Sequence, residues 1–159
     1  MTAFLRLLPV LLWIWTAPPS SAADSVLTIV VNKSNPLDSI SKKQLRGLLL
    51  GEIAQWPNKQ SVTLVEREAS SQAFQKMLRL VLNMSEAEYA RWLLQIEFRG
   101  ATPPLIKTLN SDEGANKFVF NVRGAVAITD AIPSGAISSE VKVLRVDGKL
   151  PGDPGYCLR

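Results

Sequence analysis

Arg67, Ser70, Ser71 and Gln72 lie close together, between a β-rich run, Val62 to Val65, and an apolar stripe that begins at Phe74. A strand that turns through a short polar loop into a helix leaves free backbone amides and the positive end of the helix dipole at the turn. Ser70 and Ser71 add hydroxyls at that point, and the planar fork of Arg67 can hold two oxygens of a phosphate or carboxylate at once. The chemistry of the segment is therefore oxyanion binding. The same residues also admit a plain structural use, with Ser70 as an ordinary helix N-cap and Arg67 paired with Glu66, Glu68 or another acid.

Other chemistry is excluded by composition. The chain contains no histidine, which removes the usual general base near neutral pH and the commonest metal ligand. Ser-His-Asp and Cys-His catalysis and histidine-based zinc sites are all ruled out, and the pattern implies no enzyme, no metal and no cofactor. A serine–lysine pair has no signature here, since Ser70 and Lys76 are merely near in sequence. Cys157 is the single cysteine, so it has no partner for an internal disulfide and reads as an incidental thiol.

The first residues read as an export signal. Arg6 is followed by an apolar run from Leu7 to Ala17, broken by Pro9 and Thr16, and then by Pro18 to Ala23 with small residues suited to cleavage after Ala23. The run is shorter than the roughly 20 residues that span a bilayer. The expectation is a signal peptide over 1–23, a periplasmic or secreted product and no stable membrane insertion after cleavage. Removing 23 of 159 residues leaves 136, one domain's worth of chain; the net charge is +4, and without Arg6 it falls to +3. That charge is too mild and too dispersed to indicate nucleic acid.

The elements that position the loop follow from periodicity. Val26 to Val31 reads as a buried strand that ends in the turn formers Asn32 to Pro36. Ser41 and Gln44 have capping-box spacing ahead of Leu45, Leu48 and Leu49, with Gly51 as terminator. Val62 to Val65 is a second strand, and Phe74, Met77, Leu78 and Val81 repeat with helical spacing behind it. Ser85 and Glu88 form another capping box before Tyr89, Trp92, Leu93 and Ile96, and Gly100 with Pro103 and Pro104 ends that helix in a loop. Ser111 caps a helix with Asp112 and Glu113 in its first turn and Ala115, Phe118, Val119 and Val122 as its stripe. Gly124 leads into Ala125 to Ile128, a central strand, and Val141 to Val146 is the last strand before an irregular tail over 151–159.

Strands separated by helices predict an α/β three-layer sandwich, with a mostly parallel or mixed sheet and helices on both faces, over 24–150. Such sheets place ligands at the C-terminal ends of their strands, where Arg67 falls. Tyr89 and Trp92 read as core rather than as a stacking surface, and Trp56, which has no clear helical stripe, reads as cover for a core edge. Lys42, Lys43 and Arg46 read as a solvated helix face, with an anion or acidic partner as the other reading.

Four stretches, in order, carry a resemblance: Val30-Val31-Asn32 with Ile40 to Leu45; Leu50 to Trp56; Arg67 to Phe74; and Gly124 to Ile128. Together they resemble the phosphate-binding proteins that serve ABC transporters, and Arg67 to Ala73 is similar to that family's Arg-x-x-x-Ser-Gly-Thr loop. The resemblance implies a non-enzymatic solute-binding module, with Arg67 and Ser71 gripping phosphate and the amides of Ser71 and Gln72 helping. Gln72 and Ala73 stand where the family has glycine and threonine. The likeness covers one lobe of a two-lobed fold, so the implied partners are an ABC transporter or envelope protein, or a second copy that completes the site. The rival expectation is an accessory or interaction protein of the cell envelope that keeps the lobe without binding a ligand.

Overall fold

The computed structural model describes residues 26–99, 104–135 and 139–159. The segment 1–23, and Gly100 and Pro103, lie outside the described residues. Among the described residues no helix is long and apolar enough to cross a membrane.

The order of elements is β1 (Thr28–Asn32), β2 (Ser39–Ile40), α1 (Lys42–Leu49), β3 (Thr63–Arg67), α2 (Gln72–Lys76), a π-helical stretch (Met77–Leu82), α3 (Glu86–Phe98), β4 (Leu105–Leu109), α4 (Asp112–Asn121), β5 (Ala125–Thr129), β6 (Val141–Val143) and β7 (Arg145–Val146). The main sheet runs β4-β3-β5-β1-β6. β3 pairs in parallel with β4 and β5, whereas β1 is antiparallel to both β5 and β6. The sheet is thus mixed, with β5 at its centre.

Strand alternation sorts the side chains into two layers. Ile29, Val31, Leu64, Val126 and Ile128 join α1, α2, the π-helical stretch and the C-terminal tail in one core. Val30, Val65, Ala125 and Ala127 face the other way, onto Ala115 and Val119 of α4. Helices therefore cover both faces, which is the expected three-layer arrangement. The same alternation turns Glu66 toward α3, where its Oε1 accepts a hydrogen bond from Tyr89 Oη at 2.5 Å, and turns its neighbour Arg67 toward the start of α4.

Capping drives the local structure. Ser41 and Gln44 close a reciprocal capping box on α1, and Ser85 with Glu88 does the same on α3. Gly51, at φ 71°, takes the left-handed position just past α1. Tyr89 stacks on Trp92, with centroids 6.1 Å apart, and Trp56 is buried with Nε1 donating to Gly124 O at 2.9 Å. Tyr89 and Trp92 pack with the core, as their spacing suggests, and Trp56 is itself buried in it.

Several elements differ from the sequence expectation. The helix anticipated through Met77, Leu78 and Val81 widens into π geometry after Lys76. Arg46 of α1 donates to the carbonyls of Val81 and Leu82 at the end of this stretch, meeting acceptors that have no partner inside the helix. Arg46 is thus turned inward and does not join Lys42 and Lys43 in a common cationic face. β4 lies where a plain loop was expected; it is a half-exposed edge strand, so it lacks the apolar alternation by which strands are found. The single strand expected over Val141 to Val146 breaks at Leu144 into β6 and β7, and β7 pairs with β2 in a separate small sheet. The tail is irregular, yet Tyr156 and Leu158 are buried. Leu158 O accepts from Leu27 N at 3.0 Å and Tyr156 Oη donates to Leu27 O at 2.9 Å.

Two outcomes follow from this packing. A Cβ on Gly124 would lie 2.1 Å from Ser61 O, so Gly124→Ala forces the backbone apart, and urea denaturation should register a loss of about 2–3 kcal/mol. Burial raises the Glu66 carboxyl above its ordinary value of 4.5, against the smaller opposing effect of the Tyr89 hydrogen bond. A raised acid favours the folded state fully below its unfolded value, and the gain is lost as pH rises through the folded value; each unit is worth about 1.4 kcal/mol. Glu66→Gln, whose amide oxygen still accepts from Tyr89, should therefore lose less stability than wild type between pH 4.5 and neutrality in matched denaturation curves.

Candidate functional site

The parallel strands β3, β4 and β5 end together, and their last residues lead into the loop 68–71, the start of α4 and Asp130. Arg67 closes β3 with its side chain only 12% exposed. Its Nη1 pairs with Asp112 Oδ1 in the first turn of α4, and its Nη2 donates to Asn110 O at 3.0 Å. Of the acids open to it by sequence, Arg67 thus takes neither Glu66 nor Glu68 but a residue brought in by α4. Arg67 Nε is buried without a partner among the described residues.

Ser71, rather than Ser70, is the N-cap of α2. Its Oγ accepts from Phe74 N at 3.2 Å, while Ser70 is exposed in the turn before it. The Ser71 amide donates to Glu68 O at 2.9 Å, so it is already used within the loop. Gln75 Nε2 latches the loop from α2 by donating to Ala69 O at 2.8 Å. Gln72, the first residue of α2, is exposed and borders a shallow cleft with Lys76 and Arg79. The four sequence candidates therefore lie on one turn, with Arg67 inside it and Ser70 and Gln72 on its rim.

Sequence reasoning missed two carboxylates. Asp112 was read only as a first-turn acid that favours the helix dipole. Asp130 follows the last residue of β5, and its Oδ2 accepts from Ala73 N at 2.9 Å; the signal for it was its place immediately after a central strand, at the same edge of the sheet. Burial raises the Asp130 carboxyl and Asp112 adds to the rise, while the Ala73 amide, Lys76 and Arg67 oppose it. The turn thus holds a guanidinium and a helix-start amide, the two groups suited to an anion, and each is met by a carboxylate of the chain itself. Elsewhere, burial, reinforced by Asp147, pushes the Cys157 thiol up, which suppresses its reactive thiolate.

The Arg67–Asp112 pair joins the end of β3 to α4 while largely shielded from water. Asp112→Ala leaves the guanidinium without its counter-charge, so urea denaturation should show a loss of roughly 1–3 kcal/mol, and Arg67→Ala in the same background should cost less than it does alone.

No protein-family model matches the sequence, and no curated protein matches it either. Solved structures do. PstS from Borrelia burgdorferi aligns with a TM-score of 0.65 at 14% identity, over 84% of this chain and 53% of that one. An ABC-type phosphate transport receptor from Vibrio cholerae aligns at 0.59 with 23% identity, over 79% and 48%. A phosphate-binding protein from Stenotrophomonas maltophilia aligns at 0.56 with 18% identity, over 80% and 40%. The chain spans between 40% and 53% of the length of these structures. Its fold is that of a single lobe of a periplasmic phosphate-binding protein.

Proposed function

We propose that this chain is an exported, non-enzymatic solute-binding module that takes phosphate or a similar oxyanion at the β3–α2 turn, through Arg67, Ser70, Ser71 and Gln72. The observation that carries this reading is the position of that turn, at the C-terminal edge of a sheet whose lobe fold is shared with phosphate-binding proteins. Export rests on the pattern of residues 1–23, and the corresponding partner class is an ABC transporter of the cell envelope. Glu68, Ala69 and Ser70 are exposed, so an anion here stays in contact with water unless a partner chain or a second copy supplies an opposite wall. Charge-assisted contacts in that setting are several-fold weaker than in a closed cleft.

A second reading is favoured by Asp112 on Arg67 and Asp130 on the Ala73 amide. With both anion-binding groups answered internally, the lobe would serve as an accessory or interaction protein of the envelope without a ligand.

Calorimetric titration of the purified protein with phosphate, sulfate and acetate separates the two. Binding predicts heat with phosphate that disappears in Arg67→Ala and is weakened in Arg67→Lys. It also predicts a stabilisation of about 2.7 kcal/mol when phosphate reaches a hundred times its Kd. A folded wild-type protein that gives neither heat nor a thermal upshift at millimolar anion removes the binding reading and leaves the second.

A further inference from the structure

Beside the Arg67 turn, the start of α4 and the segment after β5 border a cavity of about 480 Å³. Asp112, Glu113 and Asn116 form its polar wall, and Ala131 and Ile132 its apolar one. Asn116 is only 8% exposed, yet its Oδ1 has no hydrogen-bond partner among the described residues. A buried acceptor without a donor is costly and uncommon in folded proteins. Asp130, next to Ala131, likewise keeps its Oδ1 buried and unpartnered, and Asp112 commits Oδ1 to Arg67. Lys117 lines the cavity but is tied to Glu113 at 2.6 Å.

The unmet groups on this side are acceptors: Asp112 is met by Arg67 and Glu113 by Lys117, which leaves Asn116 Oδ1 and the Oδ1 of the Asp130 carboxyl without a donor. Their complement is a compact cation that carries N–H donors. Among the described residues no cluster of His, Cys, Asp and Glu is suited to a metal ion. An ammonium group supplies both the charge and the three donors. Asp112 belongs to this cavity and to the Arg67 turn at once, so a single small molecule can reach both.

We propose that the cavity is a subsite for a primary ammonium group. The ligand class is then a zwitterion whose ammonium stands a short alkyl chain away from a phosphonate or phosphate monoester. The oxyanion half of this ligand rests on the function proposed above; the ammonium half rests on Asn116 and its neighbours. Ala131 and the exposed Ile132 offer an apolar wall for the connecting carbons.

The test compares 2-aminoethylphosphonate, ethylphosphonate, inorganic phosphate and ethylammonium on the purified protein by calorimetry and thermal shift. The expected result is binding of 2-aminoethylphosphonate at least about ten-fold tighter than ethylphosphonate, an advantage of about 1.4 kcal/mol. That advantage should vanish in Asn116→Leu and grow in Asn116→Asp, which places a charge at the same position and keeps the test sound if the leucine variant does not fold. Equal affinities for the two phosphonates in wild type overturn the ammonium subsite and leave the oxyanion reading standing. A response to ethylammonium alone, lost in Asn116→Leu, supports the subsite even if every oxyanion fails to bind. Silence toward all four compounds overturns both.

Discussion

β5 is the strand around which the molecule is built. Ala125, Val126, Ala127, Ile128 and Thr129 are all buried, so neither face of the strand can be left to water and helices must cover both. Small residues on one side, Ala125 and Ala127, admit α4 close to the sheet, while Val126 and Ile128 fill the thicker layer beneath α1 and the π-helical stretch. Everything at the candidate edge inherits its position from this arrangement. β3 is held against β5 in parallel, which brings Arg67 to the same edge as Asp130, and α4 packs under β5 with its first turn beside Arg67.

That edge is electrostatically self-contained. A guanidinium with a buried, unpartnered Nε, a capped helix start and two carboxylates occupy one small region, and Arg67 Nη1 and the Ala73 amide each meet a carboxylate of the chain. A pair so shielded gains strongly from Coulomb attraction, but its desolvation offsets much of that gain. Its main effect is geometric, fixing the guanidinium plane and tying β3 to α4. Any external anion competes with Asp112 and Asp130 on the chain's own terms. Orphaned acceptors on Asn116 and Asp130 show that the balance tips toward surplus acceptors away from the arginine, and this gives the edge two chemically distinct sides.

Local signals in the sequence carried much of the architecture. Both capping boxes, the Ser111 cap, the Gly51 terminator and the central strand at Ala125 are found where spacing placed them, because each depends on residues within a turn or two of one another. The misses share an opposite cause. β4 gains its strand character from pairing with β3, the π-helical stretch is capped from α1 by Arg46, and the tail is held through Leu27, more than a hundred residues away in sequence. None of these has a signature in its own neighbourhood.

The candidate site divides in the same way. Sequence by itself determined that a strand, a polar turn and a helix start occur in succession with Arg67 at the strand end and a serine at the cap, since backbone hydrogen bonding and side-chain type are local properties. It also determined the absence of histidine chemistry. Only the tertiary structure decided that Ser71 rather than Ser70 is the cap, that Arg67 turns to Asp112, and that Asp130 reaches the Ala73 amide. Those contacts join residues 45 and 57 positions apart, and nothing in the chain's local order ranks one distant carboxylate above another until the sheet has set the strand ends side by side.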